Sequence, residues 1–171
     1  LEVVRVVAQK REESVFEVPA AVTAISAEML ANSGINDFSG LTSLAPSLTI
    51  QDAANTGNAS INLRGIGTYA FSIGVEPSVS VIVDDVPVVQ QAQAFNTLAD
   101  VERVEVLRGP QGTLFGKNAS AGVINIITAG PTEELEGFIE ASFTDDDEYR
   151  INAALSGPIG NSGSRRRCWC C

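Results

Sequence analysis

Two β-branched runs on either side of a glycine-rich connector constrain the fold of this chain more than any other feature. Residues 103–108 and 123–128 are rich in valine and isoleucine, which favour extended backbone in a packed sheet. The connector, residues 109–116, contains glycine and proline, which favour turns. The pattern therefore predicts two strands joined by an irregular connection, and it excludes an all-helical chain.

Short strands and short helices are predicted before these runs. Ser26 can cap a helix over residues 27–32, with Gly34 as its stop, and a second short helix ends at Pro46. Strands are predicted at 18–25, 48–51, 60–64 and 78–83, with a turn at Asp84-Asp85 and one helical turn at 98–101. This mixture predicts the α+β fold class.

The charge balance excludes several classes of function. The 171 residues carry a formal net charge of −10 and include no histidine. Nucleic acid needs a basic face, so no nucleic-acid partner is expected. Histidine is the usual general base and the commonest metal ligand, so we expect no catalytic residues, no metal site and no cofactor.

Two glycine-rich segments are similar to nucleotide-binding loops, but each departs from the pattern. Residues 65–70 match a dinucleotide motif, yet Gly74 and Pro77 leave no room for the helix that must follow it. Residues 112–118 have three residues between the glycines where a phosphate-binding loop needs four. The chain is therefore not expected to be an enzyme.

After Pro131 the chain contains two segments of alternating residues, 136–144 and 149–156. In the second, one face carries the apolar set Tyr149, Ile151, Ala153 and Leu155. Strands of a membrane β-barrel alternate in this way over about 10 residues, and so does a half-buried strand pair of an ordinary sheet. Both interpretations stay open on this pattern alone.

The tail, residues 161–171, differs from everything before it. Three arginines precede Cys168, Cys170 and Cys171, which are the only cysteines of the chain. We interpret it as an aberrant tail from a frameshifted or truncated reading frame. A metal or lipid site is the alternative, although the ligands are bunched too closely for ordinary tetrahedral spacing.

Several segments, in order along the chain, resemble the plug domain of bacterial TonB-dependent outer-membrane receptors. The longest match runs from Val101 to Thr128 and includes the string Val-Glu-Arg-Val-Glu-Val-Leu-Arg-Gly-Pro-Gln-Gly-Thr-Leu-Phe-Gly. Shorter matches lie at residues 44–48, 61–65 and 83–86, where Asp85 stands in place of the family's usual glycine. The resemblance covers roughly residues 1–160.

The resemblance implies a domain order along the chain. Residues 1–14 would be an N-terminal arm with a TonB box, and residues 15–131 a plug with a small mixed β-sheet and short helices. Residues 132–160 would start a β-barrel with one or two strands, followed by the tail. A complete barrel needs hundreds more residues, so we expect a chain cut off after its first barrel strands.

The resemblance also implies a function in transport. The family imports large, scarce ligands, typically ferric siderophores, and the plug closes the barrel lumen. The implied partners are TonB with the ExbB/ExbD energy system, the parent's own β-barrel, a siderophore-type ligand and the outer membrane. The alternatives are a free-standing, plug-like binding module in the periplasm and a non-functional truncated fragment.

The resemblance implies a role for two sets of residues, one that binds TonB and one that holds the plug in the barrel. An extended arm can pair with TonB as an added strand, and its residues are Val3, Val4, Arg5, Val6 and Val7. The alternative for this arm is an ordinary first strand of the plug sheet. The residues that would lock the plug to barrel carboxylates are Arg64, Glu105 and Arg108. Their alternative is a solvent-facing charge at a strand end.

Three loops, 52–59, 66–77 and 88–95, would face the extracellular ligand. Their aromatic and amide side chains, which offer ring faces and hydrogen bonds, are Tyr69, Phe71, Gln90, Gln91 and Phe95. The alternative role for these side chains is local packing.

Overall fold

The computed structural model of the chain describes residues 5–6, 13–14, 21–35, 37–51, 60–68, 75–89, 98, 100–143, 149–159 and 162–170. The chain divides into two compact units, Leu1–Thr128 and Ala129–Cys171, which we call the first and the second unit.

The first unit contains ten strands and three short helices among its described residues. In chain order they are β1 (Arg5–Val6), β2 (Glu13–Ser14), β3 (Ala21–Ser26), α1 (Ala27–Asn32), α2 (Leu41–Leu44), β4 (Leu48–Gln51), β5 (Ser60–Leu63), β6 (Ile66–Gly67), β7 (Val79–Val83), β8 (Val86–Pro87), β9 (Val101–Arg108), α3 (Gly112–Phe115) and β10 (Gly122–Thr128).

A five-stranded mixed sheet in the order β3-β9-β10-β7-β8 forms the centre of the first unit. The middle strand, β10, runs parallel to β7 and antiparallel to β9. Strands β4, β5 and β6 form a separate antiparallel sheet, and β1 pairs with β2 alone. The small mixed sheet with few short helices confirms the predicted α+β class.

Both faces of the five-stranded sheet are buried. Because successive side chains of a strand point to opposite faces, Val106 and Ile124 lie on one face, whereas Leu107 and Val123 lie on the other. The first face packs against α1, α2, β4 and β5 through the buried set Leu30, Phe38, Leu41, Leu48 and Ile61. On the second face, Ile82 of β7 joins Leu107 and Val123, and Val6 and Ala119 from outside the sheet pack against them. Burial on both faces explains why β7, β9 and β10 are mostly apolar, although β9 also carries the buried Glu105 and β10 the buried Asn125.

The two predicted helices are present. The Ser26 hydroxyl accepts a hydrogen bond from the Met29 amide at 3.3 Å, as an N-cap should. Gly34 follows the helix with φ +65°, a conformation that glycine adopts without strain. The second helix, α2, is only one turn long, and Pro46 follows its C-cap residue Ala45. In the turn before it, the Asp37 carboxylate accepts from the Gly40 amide at 2.7 Å.

Two local predictions were wrong. The described residues of 98–101 do not form the expected helical turn, since Asp100 has φ +59° and Val101 already pairs with Thr128 as part of β9. Within the connector after β9, one helical turn, α3, forms where only turns were predicted. The predicted turn at Asp84-Asp85 is confirmed, with φ +47° and +67°.

The second unit is an antiparallel sheet of β11 (Glu136–Phe143), β12 (Tyr149–Ile159) and β13 (Ser162–Cys170), with β12 in the middle. The tail therefore continues as a strand, whose pairs with β12 run from Ser162 opposite Ile159 to Cys170 opposite Ile151. Ser156 is buried, and its hydroxyl is 2.8 Å from both the amide nitrogen and the hydroxyl of Thr132. No helix in the described part of the chain is both long and apolar enough to span a membrane.

Candidate functional site

A buried carboxylate lies at the centre of the five-stranded sheet. The Glu105 side chain is fully buried, and Arg103 donates from Nε to Glu105 Oε1 at 2.9 Å. Arg103 also pairs with the exposed Glu102. From the neighbouring strand, Asn125 donates from Nδ2 to Glu105 Oε2 at 3.4 Å. The carboxylate thus has a cation on its own strand and an amide on β10.

Strand register explains this cluster. Arg103 and Glu105 are two residues apart on β9, so their side chains share one face of the sheet. Asn125 is the direct partner of Glu105 on β10, and Ala24 is its partner on β3. A small residue at Ala24 leaves space for the longer side chain. Because an unpaired buried charge is costly, the Arg103 contact helps to offset the cost of burying this carboxylate.

The three predicted locking residues occupy three separate positions. Glu105 and Arg108 are three residues apart on β9 and so point to opposite faces. Arg108 donates from Nε to the Ala21 carbonyl at 3.1 Å. Arg64 is exposed in the turn after β5, with φ +53°, and its amide donates to the Ser47 carbonyl at 2.8 Å. Their role in locking a plug to a barrel stays a prediction.

Arg103 is the charged residue that sequence reasoning missed. The period of two along a strand could have paired it with Glu105. Asn125 could not have been found in that way, because its position opposite Glu105 depends on the register between β9 and β10.

The predicted TonB-binding arm is described only at Arg5 and Val6, and Val3, Val4 and Val7 lie outside the described residues. Arg5 pairs with Ser14, and Val6 pairs with Glu13. The Val6 side chain is fully buried and packs in the cluster that contains Leu107 and Val123. In this structure Val6 is therefore part of the core of the first unit.

The side chains predicted to contact a ligand, Tyr69, Phe71, Gln90, Gln91 and Phe95, all lie outside the described residues, as does the loop 52–59. The base of the loop 66–77 is described, and there the hydroxyl of Thr68 is hydrogen-bonded to that of Ser78. Ser60 also donates to the Thr68 carbonyl at 3.3 Å. The bond between Thr68 and Ser78 joins the two sides of that loop, and the Ser60 bond ties one side to β5.

A groove of about 420 Å³ lies beside these loop bases. Its walls include Val75, Val88 and Phe115, and Lys117 forms an ion pair with Glu76 at its rim. No three histidine, cysteine, aspartate or glutamate side chains in the described ranges come together as metal ligands.

Comparison with known proteins identifies the family. Residues 14–123 match the family model of the TonB-dependent Receptor Plug Domain. The chain belongs to this family. The plug resemblance inferred from the sequence is thereby confirmed, and the family is one of receptors, not of enzymes.

Individual relatives of this plug domain are also receptors. The pesticin receptor of Yersinia pestis is 39% identical over 137 residues, which cover 80% of this chain and 20% of that protein. The ferripyoverdine receptor of Pseudomonas aeruginosa is 30% identical over 153 residues, with 88% and 18% covered. This chain thus spans about a fifth of the length of these relatives.

A solved structure carries the same fold. The crystal structure of the ferric yersiniabactin uptake receptor from Yersinia pestis superposes with a TM-score of 0.76 at 37% identity. The match covers 83% of the present chain and 22% of that one.

Proposed function

We propose that this plug domain is the gate and ligand-binding module of a receptor that imports a ferric siderophore, or a similar large and scarce nutrient, across the outer membrane. The observation that carries the proposal is the match of residues 14–123 to the plug family. Further support comes from relatives named as a ferripyoverdine receptor and a ferric yersiniabactin uptake receptor.

The energy for import would come from TonB with ExbB/ExbD, because the outer membrane has no nucleotide pool of its own. The arm formed by Val3, Val4, Arg5, Val6 and Val7 would pair with TonB as an added strand. Since Val6 is buried against Leu107 and Val123, the arm would have to leave the sheet face before it could pair along its full length.

The lock between plug and barrel would use Arg64 and Arg108, whose guanidinium groups suit barrel carboxylates. Glu105 would contribute indirectly, since its carboxylate already accepts from Arg103. Residues 132–160 would be the start of the barrel. Ligand contacts would come from Tyr69, Phe71, Gln90, Gln91 and Phe95 on their loops.

The test is uptake by a chimaera in which this plug replaces that of the ferric yersiniabactin uptake receptor. We expect the chimaera to import the ferric siderophore of that receptor only in cells that contain TonB. Val4→Pro, which removes one backbone donor from the arm, should reduce uptake while leaving ligand binding to cells unchanged. Uptake that is equal with and without TonB would contradict the proposal.

A second candidate is a free-standing binding module in the periplasm. It is favoured by the core of the first unit, which is buried on both faces of its own sheet. It predicts that the purified chain binds the TonB C-terminal domain or a ferric siderophore with micromolar affinity or better. Titration calorimetry without heat for either probe would exclude this candidate and leave the gate proposal intact.

A further inference from the structure

The carboxylate of Asp84 connects the β7–β8 turn to the end of β10. Its Oδ1 accepts from the Thr128 amide at 2.9 Å, and its Oδ2 accepts from the Thr128 hydroxyl at 2.7 Å. The Asp84 amide donates in turn to the Ile126 carbonyl at 3.0 Å. Asp84 therefore binds the end of β10 through its backbone amide and through both of its carboxylate oxygens.

This connection begins where the regular ladder stops. The parallel pairing of β10 with β7 ends at Ile126 opposite Val83, and the pairing with β9 shifts register between Ile127 and Thr128. Thr128 therefore lies beyond the last parallel pair with β7 and just after the register shift on the β9 side. The Asp84 carboxylate extends the pairing by two residues beyond the last backbone pair, with charge-assisted hydrogen bonds.

The position of Thr128 gives this contact its significance. Thr128 is the last residue of the first unit, and it ends β10, the middle strand of the five. Fraying that entered β10 from this end would separate β9 from β7 and open the core. Strand ends fray with little free energy unless they are tied down.

We propose that Asp84 and Thr128 form a clasp that protects the middle strand from unzipping at its C-terminal end. The clasp also accounts for Asp84 in a left-handed conformation, φ +47°, since aspartate tolerates that region and glycine there would lack the carboxylate. In a receptor of the proposed kind, motion passed along residues 129–131 would meet the clasp before it reached the core, and this consequence alone rests on the proposed function.

The turn itself provides a matched pair of variants. Asp84→Gly and Asp85→Gly each remove one negative charge and each relieve a positive φ, of +47° and +67°. Only Asp84→Gly removes the bonds to Thr128. Hydrogen exchange of the whole 171-residue chain should show the Thr128 and Ile127 amides exchanging about tenfold faster in Asp84→Gly than in Asp85→Gly. The Val106 amide should be unchanged.

Thr128→Val supplies an independent measurement, because it keeps the amide bond to Oδ1 and loses only the hydroxyl bond to Oδ2. In Thr128→Val, the backbone amide at position 128 should exchange about threefold faster than in the original chain. The control Thr49→Val, on an exposed strand position, should leave the exchange of that amide unchanged. If Asp84→Gly does not fold, this second pair decides the matter. Equal exchange in Asp84→Gly and Asp85→Gly, or in Thr128→Val and Thr49→Val, would overturn the clasp. The comparison needs no TonB, ligand or membrane, so it can fail while the gate proposal stands.

Discussion

Two isoleucines in neighbouring regions show how differently the two units treat their strands. Ile124, in β10 of the first unit, is 0% exposed, whereas Ile139, in β11 of the second unit, is 82% exposed. Both belong to well-formed antiparallel pairs. The difference therefore does not come from the strands themselves but from what covers each face of the sheet.

The first unit closes its sheet with its own chain. Helices and a second sheet pack on one face, and Val6 with Ala119 packs on the other. In the second unit, Ile139, Ile151 and Leu155 form an exposed apolar set on one face, while Ser156 on the opposite face is buried. Contiguous exposed apolar surface marks a face suited to apolar surroundings, which supports our proposal that residues 132–160 begin a barrel.

The largest expected effect is a direct test of this contrast. Ile124→Ala should lower the free energy of unfolding of the first unit by about 3 kcal/mol, because it leaves a cavity in a closed core. The matched change Ile139→Ala should alter the free energy of unfolding in water by no more than about 0.5 kcal/mol. Urea denaturation, with hydrogen exchange recorded separately for the amides of each unit, measures both losses. Equal losses would mean that the two sheets are covered to the same extent in solution.

The buried charge of the first unit provides the next test. Arg103→Met removes a cation that contacts Glu105 and should cost about 2 kcal/mol, since the buried carboxylate loses one charge-assisted hydrogen bond. Arg108→Met, at the partly exposed end of the same strand, should cost less than about 1 kcal/mol because it loses one hydrogen bond to a backbone carbonyl.

The double variant Arg103→Met with Glu105→Leu distinguishes pairing from packing. If Glu105 is destabilising mainly when Arg103 is absent, the double variant should recover a large part of the loss seen in Arg103→Met. If the loss in the double variant instead equals the sum of the losses in Arg103→Met and Glu105→Leu, the two side chains contribute independently.

Local signals in the sequence predicted much of the first unit. The Ser26 cap, the Gly34 stop and the Asp84-Asp85 turn each depend on the chemistry of one or two residues, and all three are present. The β-branched runs located β9 and β10 to within two residues. These features depend on the chain within a few residues, which is why sequence patterns capture them.

Features that depend on register or on distant contacts were not predicted. The helical turn expected at residues 98–101 was wrong, because Val101 gains a ladder partner in Thr128 and is drawn into β9. The Arg103–Glu105–Asn125 cluster depends on the alignment of two strands. The Asp84–Thr128 contact joins residues 44 apart in the sequence, and no local pattern reports such a bond.

A smaller effect is expected at the first helix. Ser26→Ala removes the hydroxyl that accepts from the Met29 amide and should cost about 1 kcal/mol. Ser26→Asp, which also caps, should stay close to the original stability. The loss should appear as faster exchange of the α1 amides. This readout distinguishes capping from any role in β3, whose last residue is also Ser26. A similar loss for both variants would place the role of Ser26 in β3 instead.

The smallest effect on stability is expected on the exposed face of the second unit. Ile139→Lys should change the free energy of unfolding in water by no more than about 0.5 kcal/mol, because the side chain is already in contact with solvent. The same change should markedly weaken binding of the chain to lipid vesicles, since lysine on the lipid face of a membrane strand costs about 2–4 kcal/mol near the bilayer midplane. Ile139→Leu is the control, and it should bind vesicles as the original chain does. Co-sedimentation with vesicles measures this, and equal binding of the two variants would show that the exposed face of β11 and β12 does not meet lipid.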